Sequence, residues 1–459
     1  MANTIDSLKL DRHSFPDGFI FGTAGSSFQY EGATNEDGKS PSIWDHFSHT
    51  YPERTKMHNG DVAIDFYHRY KDDIKLMKEI NMDSFRFSIS WSRLIPSGKL
   101  KDGVNKEGVQ FYKDLIDELL ANGIQPSMTL YHWDHPQSLD DEYGGFLSPK
   151  IVKDFRDFAK ICFEEFGEKV KLWTTINEPY IMAIASYDNG NKAPGRCSSW
   201  VNEISPAGDS STEPYIVSHY VLLAHAVAVD EFRKCKKNSH DSKIGIVLAP
   251  IWHEPYNSDS ADDKDAVERA LAFEIGWHLD PLIHGDYPDI VKKYAGDKLP
   301  HVSQLSFLTL TLKSLGAGLT IKSKGNIGNG LLLSYAEGLR KVLNYVKEKY
   351  NNMPVYIKEN GIHDSDDGTK SREEILTDTV RIEYHKAHFE ELHKAIVKDG
   401  CDVRGYYAWS MMDNFEWEHG YTARFGLYYV DYIDGLKRYP KDSAIWFKRF
   451  LKRSVGETK

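Results

Sequence analysis

Short runs of β-prone apolar residues alternate along this chain with longer stretches whose apolar positions recur every three or four residues. The pattern is clearest over 61–80, where Val62, Phe66, Tyr70, Ile74, Met77 and Ile80 share one helical face. That spacing predicts a helix with a single buried side. The strand-like run GFIFGTAGSSFQYEGA precedes it. SFRFSISWSRL then leads to a predicted helix over 108–121, IQPSMTLYHW to one over 148–166, and VKLWTTINEP to one within 213–234. KIGIVLAPIW is followed by a predicted helix over 261–278. Later, a helix within 335–350 leads into MPVYIKENG, and one around 373–398 into VRGYYAWSMMDNFEW. Seven strands are clear, and the interval 299–334 is weak.

Repeated strand–helix units over this length favour a (β/α)8 barrel over an open doubly wound sheet. No Gly-x-Gly-x-x-Gly follows the first strand, which counts against dinucleotide binding. The expectation is an α/β chain forming one barrel domain over 1–459, with the sixth strand atypical or missing. In such a barrel the chemistry sits at the C-terminal ends of the strands. Gln29, Arg86, His132, Asn177, Glu178, Glu359 and Glu416 all fall there.

Composition narrows the function. A net charge of −11 over 459 residues lacks the basic stripe of a nucleic-acid binder. The 10 Trp, 26 Tyr and 22 Phe suit a site that stacks flat, partly apolar ligands such as sugar rings, although most belong in a core. The four cysteines, Cys162, Cys197, Cys235 and Cys401, show no metal-type spacing. No secretory apolar run, membrane-length apolar window or glycosylation sequon is present. As it stands the chain reads as soluble and cytoplasmic, with a secreted or vacuolar location open if its N-terminus is processed or incomplete.

In VYIKENGI, apolar residues lead to Glu359 and then to Asn360-Gly361, a pair that favours positive φ and marks a strand end. Glu178 closes KLWTTINEP, where Pro179 removes a backbone donor and discourages further strand. A carboxylate at the tip of a buried strand is costly unless it has partners or a task. Two such carboxyls at one barrel rim match glycoside cleavage: one protonates the departing oxygen while the other attacks or stabilises the oxocarbenium ion. Retention of configuration needs the pair ~5–5.5 Å apart, inversion roughly 6.5–9.5 Å. Such chemistry needs no metal or cofactor, and none is expected. The expected partner is a small-molecule β-glycoside.

TINEP and YIKENG, together with FQYEGA, FRFSISWSR, HWDHPQ and AWSMMDNFEWEHGYTARFGLYYVD, resemble glycoside hydrolase family one, the β-glucosidase family. The resemblance covers about 15–299 and 336–451, and the PGRC loop and TEPYIVSHYVLLAHA look most like the plant members. It implies that Glu178 is the general acid/base and Glu359 the nucleophile of a retaining β-glucosidase. On that pattern Glu178 holds its proton in the free enzyme and releases it once the charge on Glu359 is consumed. Gln29, His132 and Asn177 would hydrogen-bond sugar hydroxyls. Trp409 would lie under the ring, Glu416 and Trp417 would take the outer hydroxyls, and Phe425 would line the pocket. Arg86 would supply the charge beside the nucleophile.

Three departures from the family stand out. Lys358 replaces the usual Thr or Ser, and strand alternation predicts that it points away from Glu359. Cys197 lacks the usual second cysteine, with Ser205 in its place, so it is expected to be unpaired. The stretch after LPHV is several tens of residues shorter than in relatives and has no tyrosine before Tyr335 to bond the nucleophile. LSFLTLTL or AGLTIK is the candidate replacement strand. If neither serves, the barrel has an open edge, and the alternative reading is a catalytically impaired or inactive glycoside-binding relative.

Overall fold

The structure is a computed structural model that describes residues 9–300, 317–320, 335–366 and 368–454. Eight parallel strands close into a barrel: β1 (Ile20–Ala24), β2 (Ser84–Ser88), β3 (Gln125–Tyr131), β4 (Leu172–Asn177), β5 (Lys243–Leu248), β6 (Ala317–Thr320), β7 (Val355–Asn360) and β8 (Val403–Ala408). Each pairs with its sequence neighbour, and β8 returns to β1 through Ile20↔Gly405 and Thr23↔Ala408.

The weak interval supplies its strand. β6 comes from AGLT, the start of the AGLTIK candidate, and at four residues is shorter than the seven of β3. Its backbone pairs with β5 at Val247↔Gly318 and with β7 at Ala317↔Val355. The ring is closed, so the open-edge argument for an inactive relative loses its basis. The other candidate, LSFLTLTL, lies outside the described residues.

Among the described residues, the longer helices packed outside include α1 (Phe66–Glu79), α2 (Lys106–Ala121), α3 (Lys150–Phe166), α4 (Glu213–Lys234), α5 (Ala261–Leu271), α6 (Ala336–Lys349), α7 (Thr379–Val397) and α8 (Asp442–Phe450). The core lies between them and the outward-facing strand residues. Phe85 and Phe87 of β2, Met128 and Leu130 of β3 and Ile357 of β7 are buried there with Ile74, Met77, Leu115, Leu119 and Phe155.

Three helical expectations need correction. Helix α1 starts at Phe66, because Ala63 and Asp65 take left-handed backbone, and Val62 is exposed rather than part of the buried face. The helix expected over 261–278 runs on to His284 but widens into a π-turn at Ala272–Gly276. An inserted residue of that kind re-aims the side chains it carries, and here Glu274 accepts from the Ile251 N–H (2.7 Å) and lies 2.8 Å from His253 Nε2. The helix around 373–398 is split into Arg372–Leu376 and α7, with Asp378 at the break accepting from Arg381 and Ser443.

Candidate active site

The barrel interior is polar. Alternation along β2 turns Ser84, Arg86 and Ser88 inward while Phe85 and Phe87 face the helices. On β3 the inward pair is Ser127 and Thr129. Tyr407 of β8 donates to Ser84 Oγ across the lumen (2.9 Å), and a side chain on Gly22 of β1 would strike the Tyr407 ring.

Lys358 also faces inward, contrary to the alternation argument. Its Nζ donates to Ser127 Oγ of β3, on the far side of the ring (2.9 Å), and lies 4.5 Å from the Tyr407 ring centroid. The cause is an inserted residue: Leu319 pairs with Ile357 and Thr320 with Glu359, so Lys358 has no counterpart on β6. Such a bulge lets consecutive residues on one strand turn to the same side. Burial holds the Lys358 amine well below the usual lysine range, and the Arg86 charge adds to this.

Above Lys358, Glu359 is buried and ion-paired through Oε1 to Arg86 Nη1. The same guanidinium donates through Nε to Thr129 Oγ1 (2.9 Å) and through Nη2 to Asn177 Oδ1 (2.6 Å). One buried cation thus joins the ends of β2, β3, β4 and β7. The Asn360-Gly361 turn works differently from expectation. Neither residue has positive φ. Glycine is required because a Cβ on Gly361 would fall on the Trp409 carbonyl.

Positive φ appears instead at Glu178 (φ 43°, ψ 64°). Its N–H still bonds Val247 O of β5 (2.9 Å), and Pro179 then begins the helix Pro179–Tyr187, where its missing donor is not needed. A glutamate in left-handed backbone is uncommon, and here it ends the strand abruptly with the side chain fully buried. Next to it, Asn177 Nδ2 lies 3.0 Å from His132 Nε2, and the Asn177 carbonyl accepts from Trp133 Nε1 (2.8 Å).

The ends of β1 and β8 bring the remaining candidates to the same mouth. Gln29 Nε2 donates to Asn414 Oδ1 and to Phe415 O (both 2.9 Å), and lies 3.5 Å from Glu416 Oε2. Glu416 Oε1 accepts from Trp409 Nε1 at 3.1 Å. The His132 ring stacks near Trp409 (centroids 6.2 Å) and Trp417 (5.8 Å). Gln29, His132, Asn177, Trp409, Glu416 and Trp417 are therefore one contiguous assembly. Phe425 is more peripheral, half-buried with its ring 5.1 Å from His363.

The model for glycosyl hydrolase family 1 matches residues 11–318 and 322–455. The chain belongs to glycosyl hydrolase family 1. The first matched stretch ends within β6 and the second begins two residues beyond it, so the family likeness extends past the limit of residue 299 inferred from motifs. Beta-glucosidase 30 of Arabidopsis thaliana is 75% identical over 494 residues, covering 100% of this chain and 86% of that protein. Beta-glucosidase 12 of rice (Oryza sativa subsp. japonica) is 47% identical, covering 96% of this chain and 93% of that protein. The crystal structure of a rice β-glucosidase superposes with a TM-score of 0.91 at 44% identity, covering 97% of this chain and all of the other.

Several members of the assembly were not singled out from the sequence. Thr129 seats Arg86, Asn414 seats Gln29, and Ser26 Oγ donates to Gln29 Oε1 at 2.6 Å. Thr129 could have been found from the phase of β3, because it shares Ser127's inward face. The contact of Asn414 with Gln29 spans 385 positions and left no local signal. Tyr335 donates to Glu254 (2.9 Å). Cys197 is unpaired, as are the other three cysteines. Its N–H donates to Ser205 Oγ (3.1 Å), and that hydroxyl lies 2.9 Å from the Gly195 carbonyl, so hydrogen bonds hold the loop together.

Among the described residues no helix is long and apolar enough to cross a membrane.

Proposed function

We propose that this family 1 glycoside hydrolase is a retaining β-glucosidase in which Glu359 is the nucleophile and Glu178 the acid/base. The observation that carries the reading is the fork of Arg86, which holds Glu359 and the neighbour of Glu178 on one guanidinium. In the first step a Glu359 oxygen bonds to the anomeric carbon as the bond to the leaving oxygen breaks, and that oxygen takes the proton of Glu178. In the second, Glu178, now a carboxylate, removes a proton from water. The water oxygen attacks the anomeric carbon and Glu359 departs, restoring both groups and releasing the sugar with its original configuration.

The amide of Asn177, bridged between Arg86 and His132, is placed to bond the 2-hydroxyl, a contact that strengthens as charge develops on the ring. Trp409 offers a face to the sugar, while Glu416 and Gln29 offer acceptor and donor to its outer hydroxyls. A mutant of the rice β-glucosidase has been solved in a covalent complex with Glc, which supports the two-step course for this chain.

Proton NMR of an aryl β-D-glucoside digest tests the reading. The β-anomer should appear first and mutarotate later. Initial release of the α-anomer would mean inversion and refute the assignment of Glu359 as nucleophile.

A further inference from the structure

The loop behind the Pro179–Tyr187 helix reaches over the mouth of the barrel and ends in a cation that the mechanism above does not use. Lys192 is mostly shielded, with 12% of its side chain exposed, and is ion-paired to Glu418. Its Nζ lies 5.6 Å from the Trp133 ring centroid and 5.7 Å from that of Trp417. Its backbone is fixed on both sides: the Lys192 N–H donates to Ala185 O (2.9 Å) and its carbonyl accepts from Gly195 N–H (2.8 Å).

On the other side of the contact is a turn that needs support. Trp417 has φ 53°, a left-handed conformation that a bulky side chain rarely adopts, and persists only where its surroundings hold it. Trp44 (4.5 Å) and Trp133 (5.0 Å) flank the ring, and Glu416 N–H closes the turn onto Gly420 O (2.7 Å). Lys192 caps this aromatic group from the opposite loop and ties down the next residue, Glu418. Burial raises the Glu418 carboxyl, and the Lys192 ammonium more than offsets this, leaving it below its ordinary value.

We propose that Lys192 is a positioning residue for sugar recognition, latching the loop behind Glu178 onto the turn that presents Glu416 and Trp417. The inference rests on the reading that those two residues hold the outer hydroxyls of the glucose ring. The latch couples the loop that follows the Pro179–Tyr187 helix to the surface that registers the far edge of the sugar.

The test uses the full chain, with Lys192→Met, Glu418→Gln, the double variant and Lys192→Arg. Each is assayed with p-nitrophenyl β-D-glucoside and with the β-D-xyloside, which lacks the hydroxymethyl group at the outer edge. Each charge-removing variant should raise KM for the glucoside about three- to tenfold and for the xyloside less than about twofold. The effect on kcat should be smaller than the effect on KM. The double variant should be no worse than the worse single one, and Lys192→Arg should recover most of the loss. Equal changes for both glycosides, additive losses, or a lowered Tm with unaltered kinetics would overturn the latch. If Lys192→Met does not fold, Glu418→Gln and Lys192→Arg decide the matter by the same criteria. Glu416→Gln separates the two levels. If it leaves the glucoside-to-xyloside preference intact, the recognition reading itself fails and the latch with it. If it shifts that preference while Lys192→Met does not, only the latch fails.

Discussion

The ends of β4 and β7 each present a buried glutamate to the same mouth, but they do so by opposite means. At β7 the chain stays extended past Glu359, and the inserted Lys358 turns two consecutive residues inward. At β4 the chain stops: Glu178 takes left-handed backbone and Pro179 starts a helix. The surroundings differ as well. Arg86 contacts the carboxylate itself at β7, but at β4 it contacts Asn177, the amide one residue before Glu178. One guanidinium thus holds the β7 carboxylate directly and the β4 end through the Asn177 amide. On the mechanism proposed above, the ion-paired end is the nucleophile and the other end the acid/base.

The largest expected effect comes from deleting the β7 member. Glu359→Gly should lower kcat on an aryl β-glucoside by at least about 10⁴-fold, because no other group can form the glycosyl ester. Retained turnover would erase the distinction between the two ends. Glu178→Gln should be selective. Loss of the general acid should cost about 10²–10⁴-fold with a basic leaving group such as a simple alcohol. With a dinitrophenyl glucoside the first step should suffer far less, since that phenolate departs without a proton. Equal losses across a leaving-group series would contradict the role given to the β4 end.

Replacing the shared cation probes the link between the ends. Arg86→Lys keeps a positive charge but cannot fork to Glu359 and Asn177 together. We expect kcat/KM to fall about 10–100-fold through misplacement, with a thermal melt confirming the fold. A loss confined to Tm would detach Arg86 from catalysis.

The smallest effect concerns Lys358. Its folded-state value lies well below that of an unfolded lysine, so between the two values the unfolded chain binds the extra proton. Stability from this group therefore rises with pH through that window, up to the ordinary lysine value of about 10.4. Lys358→Met should flatten that rise and add about 1–2 kcal/mol at neutral pH, as removal of a buried charge often does. Denaturant unfolding at neutral and alkaline pH checks it. A variant less stable than the parent at neutral pH would show that the amine holds the lumen together through Ser127.

Much of this site was legible in the chain because its chemistry lies at strand ends marked by proline and glycine. Glu178 and Glu359 could be located from NEP and ENG alone, and Gln29, His132, Trp409 and Glu416 from their flanking motifs. What escaped were local departures from ideal period. A bulge at Lys358 reversed an argument from alternation. Left-handed residues at Ala63 and Asp65 delayed α1 and exposed Val62, and a π-turn at Ala272–Gly276 shifted the phase inside a helix that periodicity read as regular. β6 was ambiguous because four residues carry too few positions to establish any period. Contacts such as Gln29 with Asn414 depend on closure of the ring and have no counterpart in local spacing.

The central claim, that the glutamate on Arg86 becomes covalently bonded to the sugar, can be read directly. The protein would be treated with an aryl 2-deoxy-2-fluoro-β-D-glucoside bearing a good leaving group, digested, and the modified peptide sequenced by mass spectrometry. The account predicts one fluoroglucosyl group, carried by Glu359 in VYIKENGI. A label on Glu178 or elsewhere, or none from a protein that still hydrolyses glucosides, would contradict it.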